Sequence, residues 1–592
     1  MAQNDQRQSF ETSLHDIIYS VDSGTGLKIL RTTIVVMLVL ILLFIYTATQ
    51  FRGLASSEAM EYAQLGRNMT IQNGMLTKSI TPLSIWKMDQ LNPEKAKKLH
   101  EYPDLTHAPA YPALLAASFN LLTKAGLDLF EVNKEGNITT MPAEQWVILP
   151  INHFFTLMTG LLLFLIGKRI FTRNIALLGV AIFFVSDLVW RDSISGTNIS
   201  MAGFFIVASF HSMIIAMIRH RDSPQKRRLI LPFFISVLCA AIAFLTRYVT
   251  IAAVPGILLF AWLMAGRFRG GTRFVFIFAL LYLLLISPWI YRNIKVSGAP
   301  LGLAPQTALI DSPAYPNNTF NRQLNPELKI KNTINLLKQK WNITFTKKHP
   351  SLILGMGGGL VMALFLTTFF YSFVRPQVNY LRWGVGLSLL LTTILAGFFS
   401  DSSLNIIHTF WPFAILYSLA FFHILLDRLD FSVPVYQTVL KTIFVILAAI
   451  PLVLTLLPPR AKAPNPPYWP PLISELSKTL NDREILCTDM PWATAWYGNR
   501  TSILLPKTPD DFIDINDNKN YISAIYITAI THNKPFASDL KTGIEKEWFP
   551  IIVGQIPKGF PLSKVFRVTN DQLFISDWNR WENIFKTTKE EQ

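Results

Sequence analysis

The sequence has little cysteine and little charge. Two of its 592 residues are cysteines, Cys239 and Cys487, and Asp, Glu, Lys and Arg together make up 16% of the chain. Two cysteines exclude a disulfide framework of the kind that holds small secreted domains together. The low charge, with 51% hydrophobic residues, excludes an ordinary water-soluble globule and indicates a membrane protein.

Motifs that mark many soluble enzymes and nucleic-acid-binding proteins are also missing. No group of Cys and His has zinc-ligand spacing, no glycine-rich phosphate loop precedes a helix, and no Ser-His-Asp order can be inferred. We therefore predict no tightly bound metal or cofactor. The net charge of +16 does not indicate nucleic-acid binding, because much of the surplus lies in loops where membrane topology explains it.

Long hydrophobic runs dominate the sequence instead. A helix needs about 20 mostly apolar residues to cross a bilayer, and about eleven runs qualify. They lie near residues 32–48, 147–166, 175–190, 199–218, 229–245, 249–265, 274–290, 351–374, 382–399, 406–426 and 440–457. The pattern predicts an α-helical polytopic membrane protein.

The loops between these runs are alternately basic and carboxylate- or proline-rich. Loops rich in Lys and Arg stay in the cytoplasm, and every second loop qualifies. The basic clusters are Lys28/Arg31, Lys168/Arg169/Arg173, Arg219 to Arg228, Arg267 to Arg273, Arg375/Arg382 and Arg428/Lys441. The alternation predicts a cytoplasmic N-terminal segment (1–31), a membrane domain (32–458) with a first outward loop at 51–146, and an outward-facing C-terminal domain (459–592).

Two outward segments have recognisable secondary-structure patterns. After a proline-rich connector at 458–471, short apolar runs alternate with helical patterns, which predicts a small α/β domain. Its predicted strands are EILCTD, TSILLP, ISAIYITA and FPIIVG, and its predicted helix is WATAWYG. The domain is suited to acceptor binding, stability or assembly. Residues 332–345 are predicted to form an amphipathic helix that lies on the membrane.

The first outward loop contains an acidic helix start. Ser56 or Ser57 is suited to cap a helix that runs from Glu58 to about Met69. The helix N-terminus favours an ionised Glu58, and Glu61 lies nearly one turn further on. An outward-facing carboxylate beside the membrane suits a general base that takes a proton from a hydroxyl. The simpler alternative is that Glu58 only completes the helix start.

Four motifs with characteristic residues follow in order along the outward side. They are Glu58 with Tyr62-Ala63, Gly74 and HAPAYP (107–112); WRDSISGTNIS (190–200); AFLTRYVTIAAVPG (243–256); and SPWIYRNIKVSGAP (287–300). Together they resemble the superfamily C (GT-C) glycosyltransferases, in particular the bacterial relatives of protein O-mannosyltransferases and of the lipid A aminoarabinose transferase. Two positions depart from the family pattern. Ala59 follows Glu58 in place of the usual Asp-Glu pair, and Asn198 stands where many relatives have a second acidic residue.

The resemblance covers about residues 30–300 and implies an activity. It implies an inverting hexosyl- or pentosyltransferase of a bacterial inner membrane, which moves a sugar from a polyprenyl-phosphate donor to a protein, lipid or glycan acceptor on the outer face. Under this interpretation Glu58 is the catalytic base, with Glu61 in reserve. The expected substrate-binding residues are Tyr62, His107, Tyr111 and Asn198.

Three arginines are candidates for holding the donor phosphate. Arg247, Arg292 and Arg191 each stand at the outer end of a predicted span, where snorkelling to the interface is the structural alternative. Preorganised donors stabilise the charge that develops on a departing phosphate. Arg247 ranks first, because it joins two apolar spans with almost no loop.

Two other functions remain open. A transporter or flippase for a lipid-linked sugar would use a similar cavity, but such proteins usually carry paired repeats, and the later half has no second copy of the first-loop motif. A catalytically degenerate family member that only binds its substrates is suggested by Ala59 and Asn198. The sequence does not identify the sugar or the acceptor.

Overall fold

A computed structural model describes most of the chain. The described residues are 25–71, 74–133, 140–222, 227–266, 270–326, 330–348, 359–399, 404–429, 434–458, 469–532, 534, 536–569 and 571–580. Most of the predicted N-terminal segment and of the proline-rich connector lies outside them, as do parts of the basic clusters at 219–228 and 267–273.

The helices before the C-terminal region follow the hydrophobic runs. They are α1 (Thr25–Gln50), α2 (Ser57–Ile71), α3 (Pro82–Leu91), α4 (Pro93–Ala96), α5 (Ala110–Lys124), α6 (Leu149–Ile170), α7 (Arg173–Phe184), α8 (Asp187–Ile194), α9 (Ile199–Asp222), α10 (Arg227–Thr246), α11 (Val254–Met264), α12 (Thr272–Ser297), α13 (Ile330–Ile343), α14 (Leu360–Thr367), α15 (Pro376–Ala396), α16 (Trp411–Arg428) and α17 (Pro434–Leu456). Short 3-10 or π turns extend α6, α11, α14 and α16.

The predicted polytopic helical fold is confirmed. Within the described residues, eight helices are long and apolar enough to cross a membrane, and α7 with α8 forms a ninth candidate bent by 56°. Two shorter apolar helices, Tyr248–Met264 and Leu360–Phe370, lie at two further predicted runs. Over the residues that the structure describes, every predicted span therefore coincides with an apolar helix, and residues 351–358 of the predicted span at 351–374 lie outside them.

The chain separates into two units. One consists of Met1–Phe51 with Val453–Ala461, and the other of Arg52–Leu452 with Lys462–Gln592. In the first unit, Gln50 Nε2 donates to the carbonyl oxygen of Thr455 at 2.9 Å. All features described below belong to the second unit.

A six-stranded sheet forms the centre of the part of the second unit that lies outside its apolar helices. Its elements are β1 (Ser79–Ile80), α18 (Pro470–Lys478), β2 (Ile485–Thr488), α19 (Pro491–Tyr497), β3 (Ser502–Leu504), α20 (Pro509–Asn518), β4 (Ile522–Ile527), α21 (Ala529–His532), α22 (Ala537–Thr542), α23 (Phe549–Ile552), β5 (Lys564–Thr569) and β6 (Gln572–Ser576). The strand order is β1-β3-β2-β4-β6-β5. The first four strands are parallel, and β6 and β5 are antiparallel to their neighbours.

The predicted α/β character is confirmed, with one wrong strand. EILCTD, TSILLP and ISAIYITA form β2, β3 and β4, and WATAWYG forms most of α19. FPIIVG instead begins with the short helix α23, in which Pro550 occupies the first turn. Proline lacks the N–H that a central strand needs and suits the first turn of a helix. The β5–β6 hairpin was not predicted.

The sheet also includes a strand from the loop at 51–146, which is predicted to face outward. Ser79 and Ile80 of β1 align with Ser502 and Ile503 of β3, more than 400 residues later in the chain. One sheet face packs on helices of that loop, where Tyr62, Phe119 and Trp496 share a buried core. The other face packs on a second core from the same loop and the C-terminal region. The sheet and the loop that carries Glu58 therefore share their hydrophobic cores.

Candidate active site

Glu58 occupies the first turn of α2, as the sequence predicts. The Ser56 hydroxyl accepts a hydrogen bond from the backbone N–H of Ala59 at 3.1 Å, and so caps the helix. Acidic side chains at this position are stabilised by the partial positive charge of the helix N-terminus. Gly74 follows the helix with a φ of +134°, a conformation that favours glycine. Glu58 therefore lies in the first turn of a capped helix.

Arg247 forms an ion pair with Glu58. One guanidinium nitrogen lies 2.8 Å from Glu58 Oε1 and the other 3.3 Å from Oε2. Both side chains are largely buried, with 15% of Glu58 and 6% of Arg247 exposed. Bidentate pairing of this kind fixes the orientation of the guanidinium relative to the carboxylate and balances their charges. The pair brings together the predicted base and the predicted phosphate-binding arginine.

Asn198 holds Arg247 from the other side. Its Oδ1 accepts from Arg247 Nη1 at 2.6 Å, while its Nδ2 donates to Tyr62 Oη at 2.8 Å and to the carbonyl of Thr246 at 2.5 Å. Asn198 is fully buried. It therefore acts as a bridge behind the ion pair.

Tyr62 and Tyr111 form an aromatic layer beneath the charged residues. Their rings meet edge to face at 5.6 Å, and Tyr62 meets the His107 ring in the same way at 5.1 Å. Burial raises the pKa of Tyr62 well above its ordinary value, and the charge of Glu58 adds to this, so the phenol stays neutral. The Tyr111 hydroxyl lies 3.2 Å from both Asn152 Oδ1 and the carbonyl oxygen of Gly196. Tyr111 thus joins the first outward loop to the second.

His107 lies between two carboxylates. Its Nδ1 is 2.9 Å from Asp104 Oδ1 and its Nε2 is 3.1 Å from Glu61 Oε2. Burial alone would lower the pKa of His107, but Asp104 and Glu61 raise it well above the ordinary value. Burial would likewise raise the pKa of Asp104, but His107 lowers it. With a carboxylate at each nitrogen, the ring is a charged imidazolium that donates both hydrogen bonds.

Arg292 lies behind this cluster. It donates to the carbonyl oxygen of Asp104 at 2.9 Å and stacks on the Trp289 ring, 4.8 Å from its centroid. The indole N–H of Trp289 donates to Tyr248 Oη at 2.7 Å, and that hydroxyl donates to the carbonyl oxygen of His107 at 3.1 Å. The SPWIYRN segment therefore supports the backbone of the 104–107 turn.

Arg191 is the predicted site residue that the structure places apart. Its side chain is 65% exposed, and its nearest carboxylate, that of Asp187, is 4.0 Å away. It lines none of the cavity described next. This position agrees with the snorkelling alternative.

A cavity of about 520 Å³ joins these elements. Glu58, Glu61, Tyr62, His107 and Arg247 line it, while Asn198, Tyr111 and Arg292 do not. Among the described lining residues, Arg247 and His107 are the cations. Within the described part of the chain, no group of three or more His, Cys, Asp or Glu residues is arranged to hold a metal ion.

Asp104 and Trp492 are two of the lining residues that the sequence did not predict. Asp104 stands three positions before His107, and an acidic residue at that spacing is the sequence signal that was available. Trp492 comes from the C-terminal region, at the start of α19, and reaches the same cavity as Glu58. The sequence marks its segment only as rich in aromatic residues.

A family model matches part of the chain. The family is described as "Dolichyl-phosphate-mannose-protein mannosyltransferase", and the match covers residues 139–291. This stretch includes the second outward loop, Arg247 and the Pro-Trp of α12. No curated protein sequence matches the chain.

Two solved structures resemble the chain over most of its length. The first is ArnT from Cupriavidus metallidurans bound to undecaprenyl phosphate, with 11% identity, a TM-score of 0.53, and coverage of 94% of this chain and 99% of that one. The second is the oligosaccharyltransferase AglB from Archaeoglobus fulgidus in complex with an inhibitory peptide and a dolichol-phosphate, with 11% identity, a TM-score of 0.50, and coverage of 87% and 72%. At identities this low, the structural similarity shows a common fold alone.

Proposed function

Because the chain has the fold of the superfamily C glycosyltransferases, we propose that it is an inverting glycosyltransferase of the membrane. Its donor is a polyprenyl-phosphate sugar, and its acceptor reacts on the outer face. The observation that carries the proposal is the Glu58–Arg247 pair in a cavity that Glu61 and His107 also line. The polyprenyl phosphates named with the two similar structures support this donor class.

Glu58 acts as the general base in the proposed reaction. It takes the proton from the acceptor hydroxyl as the oxygen attacks the anomeric carbon. The bond from that carbon to the phosphate oxygen breaks, and the electron pair leaves with the lipid phosphate. Attack on the face opposite the leaving group inverts the anomeric centre.

Arg247 and His107 provide the positive charge that the departing phosphate requires. Both line the cavity, and the surrounding carboxylates and carbonyls fix both of them. Charges held in advance stabilise a transition state without reorganisation. A donor phosphate that binds Arg247 also competes with Glu58 for the guanidinium. Donor binding would thereby weaken the ion pair and free the Glu58 carboxylate to accept the proton of the acceptor hydroxyl.

The test is transfer by the purified, full-length protein from a set of polyprenyl-phosphate hexoses and pentoses, followed by mass spectrometry. Comparing envelope glycans with and without the protein supplies the acceptor. Glu58→Gln keeps the side-chain volume and removes the base, so the rate should fall by about 10² to 10⁴-fold. Glu94→Gln, at an exposed position of the same loop, is the matched control.

Two outcomes would contradict the proposal. Unchanged transfer by Glu58→Gln would remove Glu58 from the base role. Donor binding without turnover in the unmodified protein would instead identify a degenerate, substrate-binding family member.

A further inference from the structure

A second cavity lies at the carboxyl ends of the parallel strands of the sheet. It has a volume of about 690 Å³, and Asp489, Leu505 and Ile530 line it. These residues come just after β2, β3 and β4, so the cavity lies outside the carboxyl ends of three parallel strands. We call it the sheet cleft.

The strand order places the cleft at a topological switch point, where the direction of the connections between strands reverses. Of the three strands that end at the cleft, β2 comes first along the chain and pairs with both β3 and β4. The chain runs from β2 to β3 on one side of it and then crosses to β4 on the other side. Open α/β sheets bind ligands in the crevice at such a position, and the volume of the cleft is typical of small-ligand sites.

The lining of the sheet cleft has the chemistry of a saccharide site. An indole, from Trp492, lies among amide, hydroxyl and charged groups that include Asn317, Thr542, Lys534 and Asp539. An indole packs against the C–H face of a sugar ring, while polar side chains bond to its hydroxyls.

The charges of the lining argue against an anionic ligand. Arg322 donates two hydrogen bonds of 2.6 and 2.9 Å to the Glu545 carboxylate, which balances its charge. The remaining cation among the described lining residues is Lys534, and Asp539 and Asp489 line the same cleft. A phosphate or polyanion would therefore meet at least as much negative as positive charge. A concave cavity also differs from an exposed strand edge, where extended peptides bind.

The sheet cleft shares a wall with the Glu58 cavity. Trp492 and Asn318 line both cavities. Asn318 sits on a left-handed turn with a φ of 63°, where its N–H donates to Asp311 Oδ1 at 3.2 Å and its Oδ1 accepts from Asn321 at 2.8 Å. A molecule in the cleft is thus separated by single side chains from the cavity that contains the proposed base.

We propose that the sheet cleft binds a saccharide portion of the acceptor and directs its reacting hydroxyl past Trp492 towards Glu58. This inference deepens the proposed function and rests on it for the acceptor role. It identifies the acceptor as a glycan, free or carried by a lipid. Saccharide binding by the cleft itself requires no donor.

The test fills the cleft without touching either core. Thr542 is an exposed residue of α22 that lines the cleft, and Ser538 is an exposed residue of the same helix that does not. Full-length protein in detergent micelles is applied to an array of neutral mono- to tetrasaccharides of hexoses, pentoses and N-acetylhexosamines, beside an array of peptides. The unmodified protein and Ser538→Trp should retain the same saccharides. Thr542→Trp should weaken that binding at least tenfold, and Asp539→Ala should weaken it in the same direction.

Several results would overturn the inference. They are retention of peptides and no saccharide, no retention of any saccharide, or equal binding by Thr542→Trp and the unmodified protein. Glu58→Gln should bind the arrays normally. Saccharide binding by the unmodified protein together with no transfer would reject the proposed function and leave the saccharide site in the cleft supported.

Discussion

A continuous chain of hydrogen bonds runs from Glu58 through Arg247 and Asn198 to Tyr62. Asn198 suits this chain, because its amide accepts from Arg247 and donates to both Tyr62 and the carbonyl of Thr246. A carboxylate at this position could make no donation. Asn198 leaves Glu58 as the carboxylate paired with Arg247 in the ion pair. The departure from the family pattern is therefore accommodated by the local hydrogen bonding.

His107 should make stability depend on pH. Its folded pKa lies well above the ordinary value, so its ion pairs stabilise the fold fully below about pH 6.5, and this contribution is lost as the pH rises towards the raised pKa. His107→Gln should therefore lower the melting temperature most at pH 6 and progressively less towards pH 9. The measurement is thermal unfolding in detergent at a series of pH values.

His100→Gln provides the control for this series. The His100 ring contacts the Thr501 hydroxyl and a backbone carbonyl instead of a carboxylate. A deficit of His107→Gln that stayed constant from pH 6 to pH 9 would contradict the imidazolium assignment.

The site could be predicted from sequence only in part at the level of residues. The place of Glu58 at a helix start could be predicted because helix-start signals are local. The place of Arg247 between two helices could be predicted because it interrupts two apolar spans. Their pairing was not recoverable, since it joins positions 189 residues apart. The roles of Asp104 and Trp492 depend on the same kind of distant contact.

At the level of elements, close packing between α11 and α15 depends on glycine. A Cβ atom at Gly256 would lie 2.1 Å from the carbonyl oxygen of Gly384 and 2.1 Å from Ser388 Oγ. Small residues at such crossings let membrane helices approach closely. The Ser388 hydroxyl also donates to the carbonyl of Ala253 at 2.7 Å, which ties the two elements together.

Gly256→Ala should therefore destabilise the protein. Overpacking of a tight contact typically costs about 1–3 kcal/mol, and thermal unfolding in detergent measures the loss. Gly203→Ala in α9 is the matched control, because its nearest contact would be an ordinary 3.4 Å to the Thr409 methyl group. Equal melting temperatures for the two variants would show that the α11–α15 contact adjusts freely.

Elements differ in how well the sequence predicts them. The spans were located correctly because hydropathy over about 20 residues is a strong local signal. The prediction of a strand at FPIIVG was wrong. It relied on the apolar run and gave too little weight to Pro550, which favours the first turn of a helix. β1 has two residues and is a strand only because it pairs with β3. No local sequence pattern predicts it.

At the scale of the whole molecule, a buried ion pair fastens the loop after α12 to the C-terminal region. Arg322 and Glu545 are each more than 90% buried. Arg322 also donates to the carbonyl oxygens of Leu505 and Pro506 at 2.8 and 3.1 Å. Every donor group of its guanidinium thus meets an acceptor from the C-terminal region.

Glu545→Ala should destabilise the fold by about 3–5 kcal/mol, because it leaves the Arg322 charge buried and unpaired. The double variant Arg322→Met/Glu545→Met removes the charge and should recover part of that loss. Both are measured by thermal unfolding, with Glu94→Ala at the exposed pair with Lys97 as a control. A double variant less stable than Glu545→Ala would contradict this account.

The pairing of β1 with β3 sets an order for biogenesis. The ribosome makes Ser79 long before Ser502, and by the predicted topology the later residue must also be exported across the bilayer before the strands can meet. Until then the segment carrying Glu58 lacks its neighbouring strand and part of its core. A nascent or truncated chain would therefore enter the membrane with the carboxylate of the proposed base unassembled, and the proposed activity would begin only when synthesis is nearly complete.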